Sequence, residues 1–356
     1  MPNLRLLAEQ LGISVSTASR ALNGYDDVSA QTRARVMAAA QATGYRPHPL
    51  ARRLATGRTG AVAMVSTMRS GHYLDPTFVS LLSGIDDVLA AQGLYTLASA
   101  IPADESREIA ALERLIDGRL VDAVILVRTR SDDTRVATLL ERGVPFVTYG
   151  RNARCAEHAW LDTDNEQAMR LVVERLALLG HRRVDFINGP EAFAFAKLRE
   201  LGWRQGLEAH GLHGRVRHSA LTSRGGDDAA RELLHEGRRG SANDTTTNTN
   251  TTTAIACATD TIAIGAMAAC RRAGRPVGAP DGVAITGYGN TEAGLYADPP
   301  LTTVDYGIED NGRHLAQLLL RLLDGAKAAE LQRIEPVRLI ARRSDLHCQP
   351  EGARRT

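Results

Sequence analysis

The first apolar pattern along the chain predicts two short helices joined by a turn. In residues 4–11, three leucines and an alanine are spaced i, i+3, i+4, i+7, so they share one helix face. Gly12 can adopt a turn conformation that a side chain would resist. Ser14 can then cap a second helix, whose Ala18 and Leu22 face inward. Two short helices joined by a glycine-containing turn are typical of a helix-turn-helix, whose second helix enters the major groove of DNA.

A third helix and an arginine-rich segment follow. Asn23-Gly24 is a turn dipeptide, Ser29 is a cap, and the helix is expected to run to Gly44. Residues 1–58 contain eight Arg and no Lys against three acidic residues, a net charge of +5. The whole chain is only +2, so the positive charge is concentrated where phosphates would be met.

From residue 59 onward, apolar runs typical of buried strands alternate with helical patterns. Strands are predicted over 61–65, 95–98, 123–127, 145–149, 184–187, 254–257 and 283–286. Helices are predicted over 78–92, 105–118, 133–143, 164–180 and 197–210. Such alternation favours parallel sheets with helices on both faces. The length allows two consecutive lobes, with a ligand cleft between the carboxyl ends of their strands.

Several functional classes are disfavoured by what the sequence lacks. No run near 20 apolar residues exists and the N-terminus has no apolar signal region, so a cytoplasmic protein without a membrane span is expected. The four cysteines have no CxxC spacing, which indicates neither a zinc site nor a disulfide framework. The absence of a nucleophile elbow, a phosphate loop or a metal-ligand cluster predicts no enzyme activity, no metal and no cofactor.

Four motifs in the first 58 residues carry a family resemblance. They are VSTASRALN at 15–23, VSAQTR at 28–33, YRP at 45–47 and ARRL at 51–54. Together they resemble the headpiece and hinge of the lac repressor/galactose repressor family of bacterial regulators. The resemblance implies that the hinge forms a helix on operator DNA, where Leu54 would wedge into the minor groove.

The remainder resembles the effector domain of the same family, which is related to periplasmic sugar-binding proteins. The matching motifs are DPTF at 75–78, LDTDN at 161–165, LGHRRV at 179–184, RELGW at 199–203, GYGN at 287–290 and PPLTTV at 299–304. The implied fold is an α-helical helix-turn-helix headpiece with an α/β, two-lobed, periplasmic-binding-protein-like effector domain built on parallel sheets.

The expected domains follow the motifs. They are a headpiece at 1–46, a hinge helix at 47–58 and an effector-binding and dimerisation domain at 59–350. Residues 240–253 are rich in Thr and Asn and cannot bury enough apolar area to offset their ordering entropy, so a disordered surface insert is predicted there.

The second headpiece helix supplies most of the predicted DNA contacts. Arg20 can donate two hydrogen bonds to a guanine, worth roughly 1–3 kcal/mol of discrimination, and Val15 and Ser16 are placed to contact bases beside it. Three polar residues are placed to contact phosphates, which position the protein without reading sequence: Asn23, Ser29 and Thr32. The full predicted set is Ser14, Val15, Ser16, Thr17, Ser19, Arg20, Asn23, Ser29, Thr32, Tyr45, Ala51 and Leu54.

Eight residues are expected to bind the effector in the cleft. They are Asp75, Phe78, Arg128, Arg151, Asp164, Arg199, Asp260 and Asn290. By the resemblance, Arg199 grips the ligand, often through a pair of sugar hydroxyls. The family often has Asn at the position of Thr259, so a bidentate contact is expected to be lost. It often has an acid at Gly289, so less negative charge is expected here. An α-glucoside or related oligosaccharide is predicted; a sugar acid is the alternative, because Arg128 and Arg151 join Arg199 in the set.

These expectations combine into one function. The chain is predicted to be a ligand-responsive, sequence-specific transcriptional regulator, a repressor of carbohydrate uptake or catabolism genes, that binds operator DNA as a homodimer. A sugar between the lobes would alter operator affinity, with a coupling of about 1–3 kcal/mol. The alternative is a soluble sugar-binding receptor whose N-terminal helices have no DNA-directed role. A weaker alternative is an enzyme acting on the ligand in the cleft.

Overall fold

The computed structural model describes residues 3–45, 57–68, 76–102, 104–240, 251–280 and 282–346. They form two compact units: one holds the residues up to Ala61 together with 115–122, and the other holds the rest of the chain. Most of the predicted hinge helix lies outside the described residues. None of the helices in the described part of the chain has the length and apolar character needed to cross a bilayer.

The N-terminal headpiece is a three-helix cluster. Its helices are α1 (Leu4–Leu11), α2 (Val15–Leu22) and α3 (Ala30–Thr43). Each begins at a polar cap, because Asn3, Ser14 and Ser29 accept hydrogen bonds from backbone N–H groups of the first turn. Gly12 and Gly44 end α1 and α3 with positive φ. The buried apolar residues are Leu7, Ala8, Ala18, Ala21, Val28, Val36 and Ala40. The predicted helix-turn-helix and its inward face are therefore confirmed.

The first lobe is built on a six-stranded sheet. Its strands are β1 (Ala61–Met68), β2 (Tyr95–Pro102), β3 (Ala123–Leu126), β4 (Phe146–Tyr149), β5 (Ala159–Thr163) and β11 (Gln332–Glu335). Their order across the sheet is β11-β5-β4-β3-β1-β2, and every pair from β11 to β1 is parallel. The connecting helices are α4 (Pro76–Ala91), α5 (Glu105–Asp117) and α6 (Thr134–Glu141).

The second lobe repeats this arrangement. Its strands are β6 (Val184–Asn188), β7 (Val216–His218), β8 (Ala254–Cys257), β9 (Ala284–Tyr288), β10 (Thr302–Asp305) and β12 (Arg338–Ile340), in the order β12-β10-β9-β8-β6-β7. Only the β10–β12 pair is antiparallel among these described strands. The helices are α7 (Asn165–Leu178), α8 (Ala194–His210), α9 (Ser223–Gly240), α10 (Asp260–Arg272) and α11 (Glu292–Leu295). The predicted parallel α/β architecture is confirmed.

The lobes are not strictly consecutive in the chain, which corrects the expectation from sequence. After β10, helix α12 (Ile308–Leu323) returns to the first lobe, where Leu315 and Leu319 are fully buried in the core that also holds Val62 and Ile125. Strand β11 then pairs with β5, and β12 returns to the second sheet. The chain therefore passes between the lobes three times.

Two glycines allow close contact between helices α12 and α4. A Cβ on Gly84 would lie 2.0 Å from the carbonyl oxygen of Glu309, and one on Gly312 would lie 2.4 Å from that of Leu81. The two backbones therefore touch at these positions, and any side chain would force the helices apart.

The predicted disordered insert is partly ordered at its carboxyl end. Residues 241–250 lie outside the described part of the chain, but Thr252 is 1% exposed. Its hydroxyl donates to Asp185 Oδ2 at 2.8 Å, and Arg215 Nη2 lies 3.0 Å from the same hydroxyl oxygen. The prediction was wrong for this residue because a buried carboxylate and an arginine satisfy its polar group.

Candidate functional site

The exposed face of α2 carries side chains predicted to reach DNA. Val15 is 44% exposed, and Ser16 and Arg20 are also exposed. Thr17 and Ser19 are half-buried. An apolar valine open to solvent at the start of a helix is suited to pack on a thymine methyl group, while the polar groups around it can hydrogen-bond.

Arg20 is held on two sides. Its Nε donates to Asp27 Oδ1 at 3.0 Å, and its Nη2 forms an ion pair with Asp27 Oδ2. The guanidinium also lies over the ring of Tyr25, 5.1 Å from the ring centroid. The side chain remains half-exposed in this arrangement.

The hydroxyls of the two serine caps are engaged within the headpiece. Ser14 Oγ accepts from the backbone N–H of Thr17 at 3.0 Å, and Ser29 Oγ accepts from that of Thr32 at 3.2 Å. Both caps lie at helix N-termini, where backbone N–H groups can also bind phosphate. Their predicted DNA role would therefore work through the helix terminus as well as the hydroxyl.

The remaining predicted DNA residues are spread over the headpiece. Asn23 Nδ2 donates to the Ser19 carbonyl at 2.9 Å, which anchors the end of α2. Tyr45 packs half-buried against the headpiece core, and burial raises its pKa. Ala51 and Leu54 lie outside the described residues.

A cavity opens at the carboxyl ends of the strands in both lobes. Its volume is ≈ 140 Å³. Its lining includes Ser66, Thr77, Phe78, Leu81, Val127, Arg128, Thr129, Tyr149, Gly150, Asp162, Thr163, Asn165, Phe195, Arg199, Leu221, Thr259, Asp260, Thr261, Tyr288, Thr291, Tyr306 and Ile308. This is the position at which open α/β sheets bind ligands.

Arg199 is the most tightly held polar group of the cavity. It is 8% exposed, and its Nε donates to Asn165 Oδ1 at 2.8 Å while Nη1 donates to the Ala258 carbonyl at 2.5 Å. The guanidinium lies 3.5 Å from the ring centroid of Tyr288 and 4.7 Å from that of Phe195. Stacking and hydrogen bonds fix its plane, and the guanidinium has five N–H donors in all.

Asp162 connects Arg199 to the first lobe through Asn165. Its Oδ1 accepts from Asn165 Nδ2 at 3.0 Å and from the Thr163 backbone at 2.8 Å. Its Oδ2 accepts from Arg151 Nε at 3.0 Å. Burial raises the pKa of Asp162, and the Arg151 guanidinium partly offsets that rise. Protein groups thus occupy both oxygens of this carboxylate.

Asp260 organises the opposite wall. Its Oδ1 accepts from Thr303 Oγ1 at 2.5 Å, and its Oδ2 accepts from the backbone and hydroxyl of Thr291 at 2.7 and 2.9 Å. Burial raises its pKa, against the effect of these bonds. A Cβ on Gly289 would lie 3.7 Å from Asp260 Oδ2, so an acidic residue at 289 would stand beside this carboxylate. Because residue 289 is a glycine, it places no second negative charge beside Asp260.

Aromatic side chains from both lobes surround the polar groups. They are Phe78, Tyr149, Phe195, Tyr288 and Tyr306. The Tyr288 hydroxyl lies 3.0 Å from Thr163 Oγ1, and Asn311 Nδ2 donates to the Tyr149 hydroxyl at 3.1 Å. Burial raises the pKa of Tyr149 and of Tyr288, so both phenols are neutral at physiological pH.

A loop after β3 joins the two lobes beside the cavity. Arg128, with φ of 54°, and Thr129 line the cavity from this loop. The Thr129 carbonyl accepts from the Ala194 backbone N–H at 2.9 Å, and Arg130 forms a β-bridge with Phe193. The loop therefore links the first lobe directly to the start of α8, the helix that carries Arg199.

Buried charges hold this loop in place. Glu108 is fully buried and accepts from Nη1 and Nη2 of Arg130 at 2.8 and 2.6 Å. Arg135, also fully buried, pairs with Asp133 at 2.7 Å and donates to the Arg128 carbonyl at 3.1 Å. This ion network thus fixes the backbone at Arg128, one of the predicted effector residues.

The structure brings four of the eight predicted effector residues to the cavity and leaves others elsewhere. Phe78, Arg128, Arg199 and Asp260 line it, while Asp75 lies outside the described residues. Three do not line the cavity: Arg151 pairs with Asp162, Asp164 caps α7 by accepting from Gln167 N at 2.9 Å, and Asn290 Oδ1 accepts from Arg342.

Several lining residues were missed by sequence reasoning. Asp162 and Asn165 belong to the LDTDN motif, of which the second acid, Asp164, was predicted instead. Tyr288 belongs to the GYGN motif and directly follows Gly287 at the end of β9. For both motifs, the signal in the sequence was their position at the end of a strand. Phe195 and Tyr306 had none, because nothing in their local sequence points to a cleft.

Comparison with known proteins agrees with both halves of the structure. The family described as bacterial regulatory proteins, lacI family, matches residues 4–48, and a periplasmic binding protein-like domain matches residues 173–344. HTH-type transcriptional regulator AglR of Rhizobium meliloti (strain 1021) is 32% identical over 326 residues, 89% of this chain and 87% of AglR. HTH-type transcriptional regulator CelR of Thermobifida fusca is 32% identical over 346 residues, 95% of each chain.

Solved structures match over nearly the full length. The transcriptional regulator CelR–cellobiose complex has a TM-score of 0.71 and 29% identity, covering 97% of this chain and 100% of that one. The lac repressor dimer bound to operator and the anti-inducer ONPF has a TM-score of 0.78 and 26% identity, covering 97% and 99%. The resemblance inferred from the motifs is confirmed. The chain belongs to the lacI family of bacterial regulatory proteins and is a DNA-binding transcriptional regulator of the helix-turn-helix type.

Proposed function

We propose that this regulator represses genes of carbohydrate uptake or catabolism and changes its operator affinity when a neutral sugar binds in the cavity. The observation that carries the proposal is the cavity lining, which combines five aromatic side chains with balanced formal charge. Aromatic faces offer flat apolar surface to a sugar ring, and hydroxyls need well-placed polar partners.

Charge balance favours a neutral ligand over a sugar acid. The charged residues among the described lining are two arginines and two aspartates: Arg128, Arg199, Asp162 and Asp260. Arg151, which the sequence offered as a third cation, is paired with Asp162. An anionic ligand would lie beside the buried carboxylate of Asp260, whose hydrogen-bond partners are neutral threonine groups, and that repulsion would offset part of its attraction to the arginines.

A ligand found in a similar protein also supports a neutral sugar. The CelR structure contains cellobiose, and the lac repressor structure contains operator DNA. In this chain, we assign the ligand hydroxyl contacts to Arg199, Asp260 and the polar groups beside them. Asp260 accepts three hydrogen bonds within the protein, so about one acceptor position of its carboxylate is left for a hydroxyl.

The DNA-directed half of the proposal assigns base contacts to Val15, Ser16 and Arg20. Two headpieces, one from each subunit of a homodimer, would read a pseudo-palindromic operator in the bacterial cytoplasm. Asn23, Ser29, Thr32 and Tyr45 would position the headpiece on phosphates, and Ala51 and Leu54 would act in the hinge. The ligand can change operator affinity only as far as it binds one state of the protein more tightly than the other.

Isothermal titration with a panel of sugars tests the ligand class. The panel contains glucose, maltose and cellobiose, with glucuronate and cellobionate as anionic counterparts. We expect at least one neutral sugar to bind and its acid to bind at least about tenfold more weakly. Binding of acids alone would contradict the neutral-ligand assignment. Mass spectrometry of the recovered sugar tests the enzyme alternative, and conversion of the sugar would establish it.

A further inference from the structure

The side chain proposed to read the operator has a fixed partner in the headpiece. Asp27 binds the edge of the Arg20 guanidinium that carries Nε. Nε donates to Oδ1 at 3.0 Å, and Nη2 forms an ion pair with Oδ2. A guanidinium has a second edge, formed by Nη1 and the other N–H of Nη2. That edge is the one that can donate two parallel hydrogen bonds to O6 and N7 of a guanine.

The face of the guanidinium is supported as well. The ring of Tyr25 lies 5.1 Å from the Arg20 guanidinium carbon, so the ring limits movement of the guanidinium out of its plane. The backbone N–H of Tyr25 donates to the carbonyl of Arg20 at 3.1 Å. The backbone of Tyr25 is therefore bonded to the end of α2, the helix that carries Arg20.

The loop that carries Asp27 is anchored to the headpiece core. Arg33 Nη2 donates to the Tyr25 carbonyl at 2.8 Å, and the Val28 backbone N–H donates to the same oxygen at 3.3 Å. Val28, next to Asp27 in sequence, is only 7% exposed and packs in the core. Asp27 is thus placed by buried structure even though its own carboxylate is exposed.

We propose that Asp27 is a positioning residue for operator recognition, which holds Arg20 side-on so that its other edge can meet a guanine. This inference rests on the proposed base contact of Arg20. An acidic residue this close to DNA also repels phosphates, so it weakens sequence-independent binding. Asp27 therefore raises discrimination in two ways, by ordering the reading side chain and by lowering affinity for other DNA.

The neighbouring Asp26 provides a matched control. It is exposed in the same loop, and among the described residues it has no ion-pair partner. Asp26→Asn and Asp27→Asn remove the same charge from adjacent positions. Only the second removes the ion pair with Arg20 and one of the two oxygens that accept from it, so a comparison of the two variants separates the positioning effect from the charge effect.

The experiment measures affinity by fluorescence anisotropy on two duplexes at equal salt: one selected by the wild-type protein from a random library, and one scrambled. Asp26→Asn should strengthen binding to both by a similar factor. Asp27→Asn should lower the ratio of selected to scrambled affinity roughly two- to fivefold relative to Asp26→Asn. The loss should be confined to one guanine of each half-site and should vanish in an Arg20→Ala background. Thermal melts check that both variants keep a folded headpiece.

Two results would overturn different claims. Equal ratios for the Asp26 and Asp27 variants, while Arg20→Ala still lowers the ratio, would refute the positioning role alone. A ratio unchanged by Arg20→Ala would refute the proposed base contact of Arg20 and the inference with it.

Discussion

Arg199 is the side chain on which the ligand site depends most. It links Asn165 of the first helix after β5 to the carbonyl of Ala258 at the end of β8, and it stacks on Tyr288. A buried guanidinium with its plane fixed in this way can present hydrogen bonds to a pair of vicinal hydroxyls. A lysine would keep the charge but would lose the planar fork.

Arg199→Lys is therefore expected to weaken sugar binding at least about tenfold while leaving operator affinity within about twofold of wild type. Titration calorimetry and operator anisotropy measure the two affinities. Arg204→Lys is the control, since Arg204 is exposed on the same helix and pairs with Glu200. Equal loss of both affinities in the Arg199 variant would mean that the substitution damages the fold rather than the site.

His158 provides a pH-dependent signature of the first lobe. It is 2% exposed, its Nδ1 donates to the Ala159 carbonyl at 2.9 Å, and burial lowers its pKa from 6.5. The folded protein then binds this proton less readily than the unfolded chain. Its contribution to stability is therefore complete above pH 6.5 and is lost as the pH falls through the lowered pKa.

Urea unfolding of wild type and His158→Gln between pH 7.5 and 5 tests this expectation. The advantage of wild type over the variant should shrink on acidification, by at most about 1.4 kcal/mol per pH unit for one proton. His213→Gln, at an exposed position, is the control for the substitution itself. A difference for His158→Gln that stays constant with pH would contradict the expected proton linkage.

Asp162 and Asp164 show how far residue choice can be made from sequence. Both belong to one recognised motif, and they differ by two positions at a junction of strand and helix. Asp164 is the N-cap of α7, whereas Asp162 is the second-last residue of β5 and lines the cavity. A motif identifies the junction, but the register that decides which acid turns inward depends on where the strand ends, and sequence patterns leave that uncertain by a residue or two.

At the scale of elements, the loop after β3 connects ligand and fold. It supplies Arg128 and Thr129 to the cavity and bonds to the residues that begin α8. The fully buried Glu108, from α5, neutralises Arg130 of the loop and lies 3.6 Å from Arg135. Removing one member of such a network leaves buried charge without its partner, which costs far more than the loss of an exposed pair.

Glu108→Gln should therefore lower the free energy of unfolding by about 3 kcal/mol. The matched control is Glu157→Gln, since Glu157 pairs with Arg154 at 2.7 Å but is exposed, so its loss should have a much smaller effect. Chemical denaturation measures both. Similar small effects for the two variants would show that the network does not hold the loop.

The elements that sequence periodicity recovered are those with local signals. Strand β1 begins with five apolar residues in a row, helices α1 to α3 have polar N-caps, and α1 and α3 end at glycines. Helix α12 belongs to the first lobe because its apolar face packs in the core with Val62 and Leu161, and strand β11 belongs to it because it pairs with β5. That partnership spans more than 150 residues, so no local pattern could have assigned it.

At the scale of the molecule, two recognition sites serve one regulatory function. In our proposal the headpiece reads DNA through α2, and a neutral ligand binds in the cavity, where polar and aromatic groups of both lobes meet. Because residues of both lobes line the cavity, a ligand that contacts both must favour one arrangement of the lobes over another. The central claim is that this preference alters operator affinity.

Fluorescence anisotropy of the full-length protein on its selected operator, titrated with the neutral sugar that binds best in calorimetry, tests that claim most directly. We predict that the sugar changes operator affinity about 5- to 150-fold, corresponding to a coupling of about 1–3 kcal/mol, and that Arg199→Lys abolishes the response. Sugar binding that leaves operator affinity unchanged in the wild-type protein would contradict the claim.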